Sequence, residues 1–360
     1  MDSSGVSGWM HHLVVDASVK YCNCYASRPF YRLVSVACFA LCVLFFVLSA
    51  QQPSVSRRTH QLHDAGRRTL SLSEPGGPRV DAFDLTVKPF GFNIVRQPTH
   101  KSSFKSCEKT DLLIFVCSSV DHVDRRTAIR ETWASAEALA PLNAAVVFAV
   151  GSVVGDQEAL HQEAEQFGDI LQGNFKDTYM NLTLKSTMAL KYVAGACGRG
   201  TKPPRFVMKT DDDIFVNVPF MLSALKKNLA GAKRMITGCI KQRSAPRGVS
   251  ADGRTAPSIL PDFVAGAGYV LTGRLAAELY AAASKVVKPM KIEDFFVTAQ
   301  CAKLVPGAYP PKHDPRFTCG GIVKDDCKLV SMFTAHKITS HRQSAIWDKF
   351  TSDPNPCMDF

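Results

Sequence analysis

The chain has 360 residues, of which 46% are hydrophobic, enough for a real core in one large domain or in two ordinary ones with tails. Its net charge of +11 does not mark a nucleic-acid binder. Residues 1–106 hold 12 Lys and Arg against 6 Asp and Glu, leaving 31 against 26 beyond them, and no basic run is interleaved with aromatics.

Residues 1–32 are a short tail. LVSVACFALCVLFFVLSA, residues 33–50, is an 18-residue stretch without a charge, about the minimum for a bilayer span at ~1.5 Å rise per residue. It starts later and runs longer than the ~7 to 15 residues of a cleaved signal peptide's apolar region, so it is predicted to be a transmembrane signal-anchor. Lys20, Arg28 and Arg32 precede it, and Arg57, Arg58, Arg67 and Arg68 follow it. Flanking charge by itself therefore does not orient it. Residues 51–106 are rich in Arg, Ser, Pro and His and keep no apolar period, which reads as a flexible stem. Of the 12 cysteines, eight lie beyond the span, an even number with no CxxC pair. That usage suits disulfides in an oxidising lumen better than zinc, although spacing does not give the pairing.

A composition shift opens the segment 107–360. DLLIFVCSSV (111–120) and AAVVFAVG (144–151) are buried-strand runs, DQEALHQEAEQFG is helical in pattern, and DILQGNF is a short strand. LTLKSTMALKYVAGAC reads as a helix ending at Gly198, and RFVMKT as a strand. This alternation predicts an α/β fold, a Rossmann-like mixed sheet flanked by helices. No GxGxxG or GxxxxGK[ST] follows a strand, so neither an ordinary dinucleotide fold nor a P-loop is supported.

The strand RFVMKT delivers KTDDDIFVN, with Asp211, Asp212 and Asp213 in a row between apolar flanks. Alone the triplet suits a solvated turn as well as a cation site. Oxygen ligands of this kind select hard cations such as Mg or Mn, usually completed by substrate phosphates. Downstream, LPDFVAGAGYVLTG (260–273) has the glycines of a loop that a ligand could approach, or of a plain turn between strands. KIEDFFVTAQCAKLV opens an apolar helix with Glu293 and Asp294, and FTAHKITSH supplies His336 and His341. Trp133 and Trp347 are expected in the core. Asn181-Leu182-Thr183 is an N-glycosylation sequon at a helix start, where packing would exclude a glycan.

In this order the motifs resemble glycosyltransferase family 31, the β-1,3-galactosyltransferase and N-acetylglucosaminyltransferase superfamily. RRTAIRETW (125–133), FGDILQGNFKDTYMNLTLKS (167–186), FVMKTDDDIFVN, AGAGYVLTG and IEDFFV carry the resemblance over residues 110–345. It implies a GT-A fold in a lumenal catalytic domain of residues 107–360, behind a cytoplasmic tail. It further implies a type II protein of the Golgi or endoplasmic-reticulum membrane, and inverting transfer of galactose or N-acetylhexosamine from UDP-galactose or a UDP-N-acetylhexosamine. The acceptor would be a glycan on a glycoprotein or glycolipid, with Mn²⁺ or Mg²⁺ as cofactor. By position, Asp213 with Asp211 beside it falls on the metal-binding part of the triplet. His336 matches the late metal-ligand histidine, with His341 as its rival, and Asp294 matches the general base. Arg126, Arg130, Asp169 and Lys185, together with Asp211 and Asp212, fall on donor-side positions. Two departures, Phe295 after Glu293-Asp294 and Phe263 where the family often has Tyr, leave linkage and acceptor open.

Overall fold

The computed structural model describes residues 91–155, 157–197, 201–229, 231–241, 260–352 and 357. The anchor expected at 33–50 and the tail before it lie outside the described residues. Among those described, no helix is long and apolar enough to cross a membrane.

The described residues form ten strands, β1 Ile94–Arg96, β2 Leu112–Cys117, β3 Ala144–Ser152, β4 Ile170–Lys176, β5 Phe206–Asp211, β6 Ile214–Val216, β7 Ile236–Lys241, β8 Phe263–Thr272, β9 Lys312–His313 and β10 Thr334–His336. Eight build one mixed sheet in the order β1-β4-β3-β2-β5-β8-β7-β9, and β6 and β10 form a small antiparallel pair. The parallel half, β4-β3-β2-β5, comes from the alternation predicted in the sequence. β2 is buried at all six positions because it lies between β3 and β5 with helices on both faces.

Alternation along β2 divides the core. Leu113 and Phe115 pack on one face with α4 (Leu182–Ala196) and α6 (Gly273–Ala283). Leu112, Ile114 and Val116 pack on the other with α1 (Val123–Glu131), the single turn α2 (Ala136–Leu139), α3 (Glu158–Phe167), α5 (Val218–Asn228) and α8 (Ser340–Ser352). Trp133 is buried in this second layer, its Nε1–H donating to Gln343 Oε1 at 2.7 Å. α7 (Glu293–Phe295) continues into a π-helical stretch, Phe296–Cys301, on the first face.

Two expectations are corrected here. The folded unit reaches back into the predicted stem: β1 pairs antiparallel with β4, and Phe92 and Phe104 are buried. One short apolar patch (Phe92, Ile94) suffices to close that sheet edge, too short to register as a period. The glycine-rich 263–272 is no loop either; it is a ten-residue strand antiparallel to β5 and β7.

Disulfides join Cys107 to Cys197, Cys239 to Cys319 and Cys327 to Cys357. Cys117 and Cys301 stay free and buried, and burial pushes the Cys117 thiol up to about 12, the behaviour of an inert core thiol.

Candidate active site

β2, β3 and β4 run to one side of the sheet and β5 lies on the other side of β2, so the strand order switches direction between β2 and β5. In open α/β sheets ligands bind outside the carboxyl ends of the strands at such a switch point. β5 ends there on Asp211, and a cavity of 610 Å³ opens beside it. Asp211, Asp213, Glu293, Asp294 and His336 all line it.

The three adjacent carboxylates separate because the chain turns sharply from β5 into β6. Asp211 lines the cavity with one oxygen held by Lys209 Nζ at 2.7 Å. Asp212 points back into the protein, where it accepts from Ser118 Oγ at 2.8 Å and Arg125 Nη1 at 2.9 Å and meets His122 Nδ1 at 2.7 Å. Both its oxygens are used, so the structure gives Asp212 a fastening role between β2, α1 and β5. Asp213 faces the cavity again. Burial raises its pKa, the nearby His336 works against that rise, and Asp211 and Asp212 add to it.

Antiparallel pairing of β6 with β10 sets His336 opposite Ile214, next to Asp213. His336 Nδ1 lies 3.0 Å from the Gly320 carbonyl and must be the donor there, which leaves Nε2 directed toward Asp213 Oδ2, 3.6 Å away. At that separation the two groups face one point without bonding each other. A backbone-held histidine beside a destabilised carboxylate is the donor set a divalent cation needs. Among the described residues no group of three or more His, Cys, Asp or Glu could hold a metal unaided. Two protein ligands still fit an ion whose remaining positions are filled by phosphate oxygens. His341 instead opens α8 and lines a smaller neighbouring cavity with Asp124, Arg125, Asp213 and Lys337, whereas His336 shares the larger cavity with Asp211 and Asp294 and stands 3.6 Å from Asp213, so His336 is the better placed of the two histidines.

Asp294 stands at the start of α7. Its Oδ2 accepts from the Gly266 N–H at 2.9 Å and its Oδ1 from the Phe295 N–H at 2.9 Å. A Cβ at position 266 would come within 3.3 Å of Asp294 Oδ2, so the glycine of β8 leaves the carboxylate its place. Burial raises the Asp294 pKa, partly offset by Lys241, whose Nζ is 3.9 Å away. The neighbouring Glu293 is buried and bonded to the Tyr269 hydroxyl at 2.8 Å, with Lys209 Nζ at 3.3 Å. Burial works to lower the Lys209 pKa, yet Asp211 and Glu293 hold it well above its usual value, so the ammonium stays charged beneath the cavity floor.

The other donor-side candidates do not line this cavity. Arg126 is fully buried, donating Nε and Nη2 to Glu163 at 2.8 and 2.7 Å and reaching Ser118 Oγ and the carbonyls of Ser119 and Val120. Arg130 holds Asp169 with two bonds of 2.8 and 2.9 Å and meets Glu163 at 2.8 Å. Lys185 pairs with Asp177 at 2.6 Å and donates to the Ser118 carbonyl. All of them brace the turn after β2 or its surroundings. Sequence reading missed Glu163 and Lys209. Both were visible as charges in apolar company, Glu163 within the helical stripe Leu160, Ala164 and Phe167, and Lys209 inside a strand. Asn181 is buried with its Nδ2 donating to the Lys176 carbonyl at 2.8 Å, so the sequon's nitrogen is already used in packing.

Fold and site together define an α/β enzyme with a carboxylate-and-histidine cavity at its topological switch point. The sequence profile described as galactosyltransferase matches residues 124–306, half of the chain, and the protein belongs to that family, glycosyltransferase family 31. Among its relatives is beta-1,3-galactosyltransferase 2 of Mus musculus, 30% identical over 249 residues, 66% of this chain and 58% of the relative. The chain thus spans under two thirds of that relative's length. Beta-1,3-galactosyltransferase 1 of Mus musculus is 29% identical over 306 residues, 79% of this chain and 91% of the relative. A solved glycosyltransferase involved in glycosylation of the major capsid of PBCV-1 aligns with 65% of the chain at 13% identity and a TM-score of 0.34, too low to speak for a shared fold.

Proposed function

We propose that the protein is an inverting, metal-dependent hexosyltransferase of GT-A type. It moves galactose or N-acetylhexosamine from a UDP-sugar to a hydroxyl of a glycan acceptor on a glycoprotein or glycolipid, in β-linkage, with β-1,3 the linkage its relatives' names suggest. Residues 33–50 anchor it as a single-pass type II protein of the Golgi or endoplasmic-reticulum membrane, with residues 107–360 in the lumen. The observation that carries the reading is one cavity lined both by Asp294, a carboxylate of raised pKa, and by the facing pair Asp213 and His336.

Inversion takes a single in-line displacement, which asks for a base on the acceptor and positive charge on the leaving group. Asp294 takes the proton of the attacking hydroxyl. Its raised pKa makes it a stronger base than an exposed aspartate, and the Gly266 and Phe295 N–H groups fix its direction. Asp213 and His336 would hold Mn²⁺ or Mg²⁺, which supplies Lewis-acid stabilisation of the departing diphosphate. Lys209 keeps Asp211 and Glu293 in place beneath the site. No side chain forms a covalent intermediate.

The full chain incubated with Mn²⁺ and a panel of UDP-sugars is expected to release UDP from at least one of them. Asp213→Ala and Asp294→Asn should each lower turnover well beyond twofold. Turnover within about twofold of wild type in both variants would refute the assignment, since a positioned base contributes about 10²- to 10⁴-fold.

A further inference from the structure

Tyr179 is out of keeping with the rest of the cavity wall. It is 87% exposed, in the 3-10 turn Tyr179–Asn181 that leads into α4, and Met180 beside it is 51% exposed. Both line the cavity that holds Asp294. Among the described residues the Tyr179 side chain makes no hydrogen bond, ion pair or ring contact. An aromatic ring left in water forgoes apolar burial that folding would otherwise collect.

The turn beneath the ring is fixed. Asn181 Nδ2 is bonded to the Lys176 carbonyl, and Asp177 accepts from the Gly151 N–H at 2.7 Å and from Lys185 at 2.6 Å. The ring is therefore presented on a rigid base, and little ordering entropy remains to be lost when something packs on it. Met290, Lys291 and Ile292, also on the cavity lining, immediately precede Glu293 and Asp294 in sequence. An occupant resting on Tyr179 would share its cavity with the base.

We propose that Tyr179 is a specificity-determining platform on which a pyranose ring of the acceptor stacks, with Met180 extending the apolar surface. This deepens the transferase reading above and rests on it. A pyranose has one face of C–H groups and a rim of hydroxyls. The aromatic ring takes the C–H face, and the hydroxyl rim stays free for polar groups, among them the carboxylate of Asp294 that receives the proton. A flat aromatic contact selects a ring of this shape and tolerates differences in its substituents. The platform thus admits a class of acceptor sugars, and the polar groups around it choose among them.

The test uses the detergent-solubilised full chain with UDP and Mn²⁺. Methyl β-D-galactopyranoside and methyl N-acetyl-β-D-glucosaminide serve as probes, read by saturation-transfer NMR, and UDP binding is read in parallel by calorimetry. Wild type is expected to saturate the C–H face of at least one probe. Tyr179→Ala should weaken that probe about fivefold, and Tyr179→Phe should stay within about twofold, because a ring face without its hydroxyl suffices. UDP affinity should be the same in all three proteins, which a general loss of structure would not allow. Equal saturation in wild type and Tyr179→Ala overturns the platform, as does a wild type that binds UDP and neither probe. A wild type that binds no UDP while its probe contact depends on Tyr179 overturns the donor reading and upholds the platform.

Discussion

Arg126, Glu163, Arg130 and Asp169 form one charged region of this protein, and Asp211, Asp213, His336 and Asp294 form another. In the first, two guanidinium groups are matched with two carboxylates at 2.7 to 2.9 Å. Burial works to raise the Glu163 pKa, but Arg126 and Arg130 outweigh it and the group ends below its ordinary value. In the second, Asp213 and Asp294 end above theirs, because burial is only partly compensated by His336 in one case and by Lys241 in the other. A depressed carboxylate pKa marks charges held for the sake of the fold, and a raised one marks charges left in want of a partner, a proton or a cation.

The sharpest test of this contrast is Asp294→Asn. Activity should fall by about 10²- to 10⁴-fold with UDP binding retained. The pH dependence of stability should set it apart from Glu163. Since the folded pKa lies above the unfolded one, the folded state binds the proton more tightly and the ionised carboxylate weighs against folding once pH exceeds both values. That penalty fades as pH falls through the raised folded pKa. Asparagine offers one acceptor oxygen to the two N–H groups of Gly266 and Phe295, a loss present at every pH, so in thermal melts the variant should compare best with wild type near neutrality and worse in acid. A variant that instead compared worst near neutrality and converged on wild type in acid would put Asp294 in the same class as Glu163.

Glu163→Gln provides the opposite pole. Removing the carboxylate between two buried guanidinium groups leaves unpaired charge, a loss of about 3 to 5 kcal/mol measurable by denaturant unfolding. Because the Glu163 pKa is depressed, its contribution is present above the unfolded pKa and lost as pH falls through the folded one. Wild type and variant should converge in acid.

The Asp triplet carries the same contrast within three residues. Asp213→Asn should raise the Mn²⁺ concentration for half-maximal activity by at least about tenfold, as loss of a group at or next to a metal does. Asp212→Asn should leave that concentration unchanged and lower the melting temperature, since Ser118, His122 and Arg125 lose their common acceptor.

Much of this was legible in the sequence, and the reasons are specific. β2 and β3 were visible because buried strands leave apolar runs, β4 and β5 as shorter strand-like segments alternating with helices, and the triplet's place at the end of β5 followed from them. Asp294 follows from its motif, and His336 is preferred to His341 because it comes after the apolar run LVSMF (329–333) and before Lys337, as the family's late histidine does; it closes β10. Side-chain direction was not legible. Arg126 and Arg130 stand in a motif, but a motif shows only that a charge is required. Their partner Glu163 lies 37 residues beyond Arg126, on a helix whose amphipathic stripe hides it. The strand at 263–272 was hidden by its glycines, of which Gly266 is there to admit Asp294.

The smallest expected effect belongs to Lys241, which stands between the two classes. Its ammonium is 3.9 Å from Asp294 and 40% exposed, so it lowers the base's pKa from a position that water and salt reach. Lys241→Ala should move the acid limb of the pH–rate profile toward higher pH, because without the cation the carboxylate keeps its proton longer. Near neutrality the rate should barely change, and on the acid limb it should drop by about two- to fivefold, the range of a half-exposed ion pair. High salt should move the wild-type profile in the same direction and leave the variant's in place. If the acid limb instead moved toward lower pH in the variant, Lys241 would not be acting on Asp294 through charge, and some other group would have to govern the base.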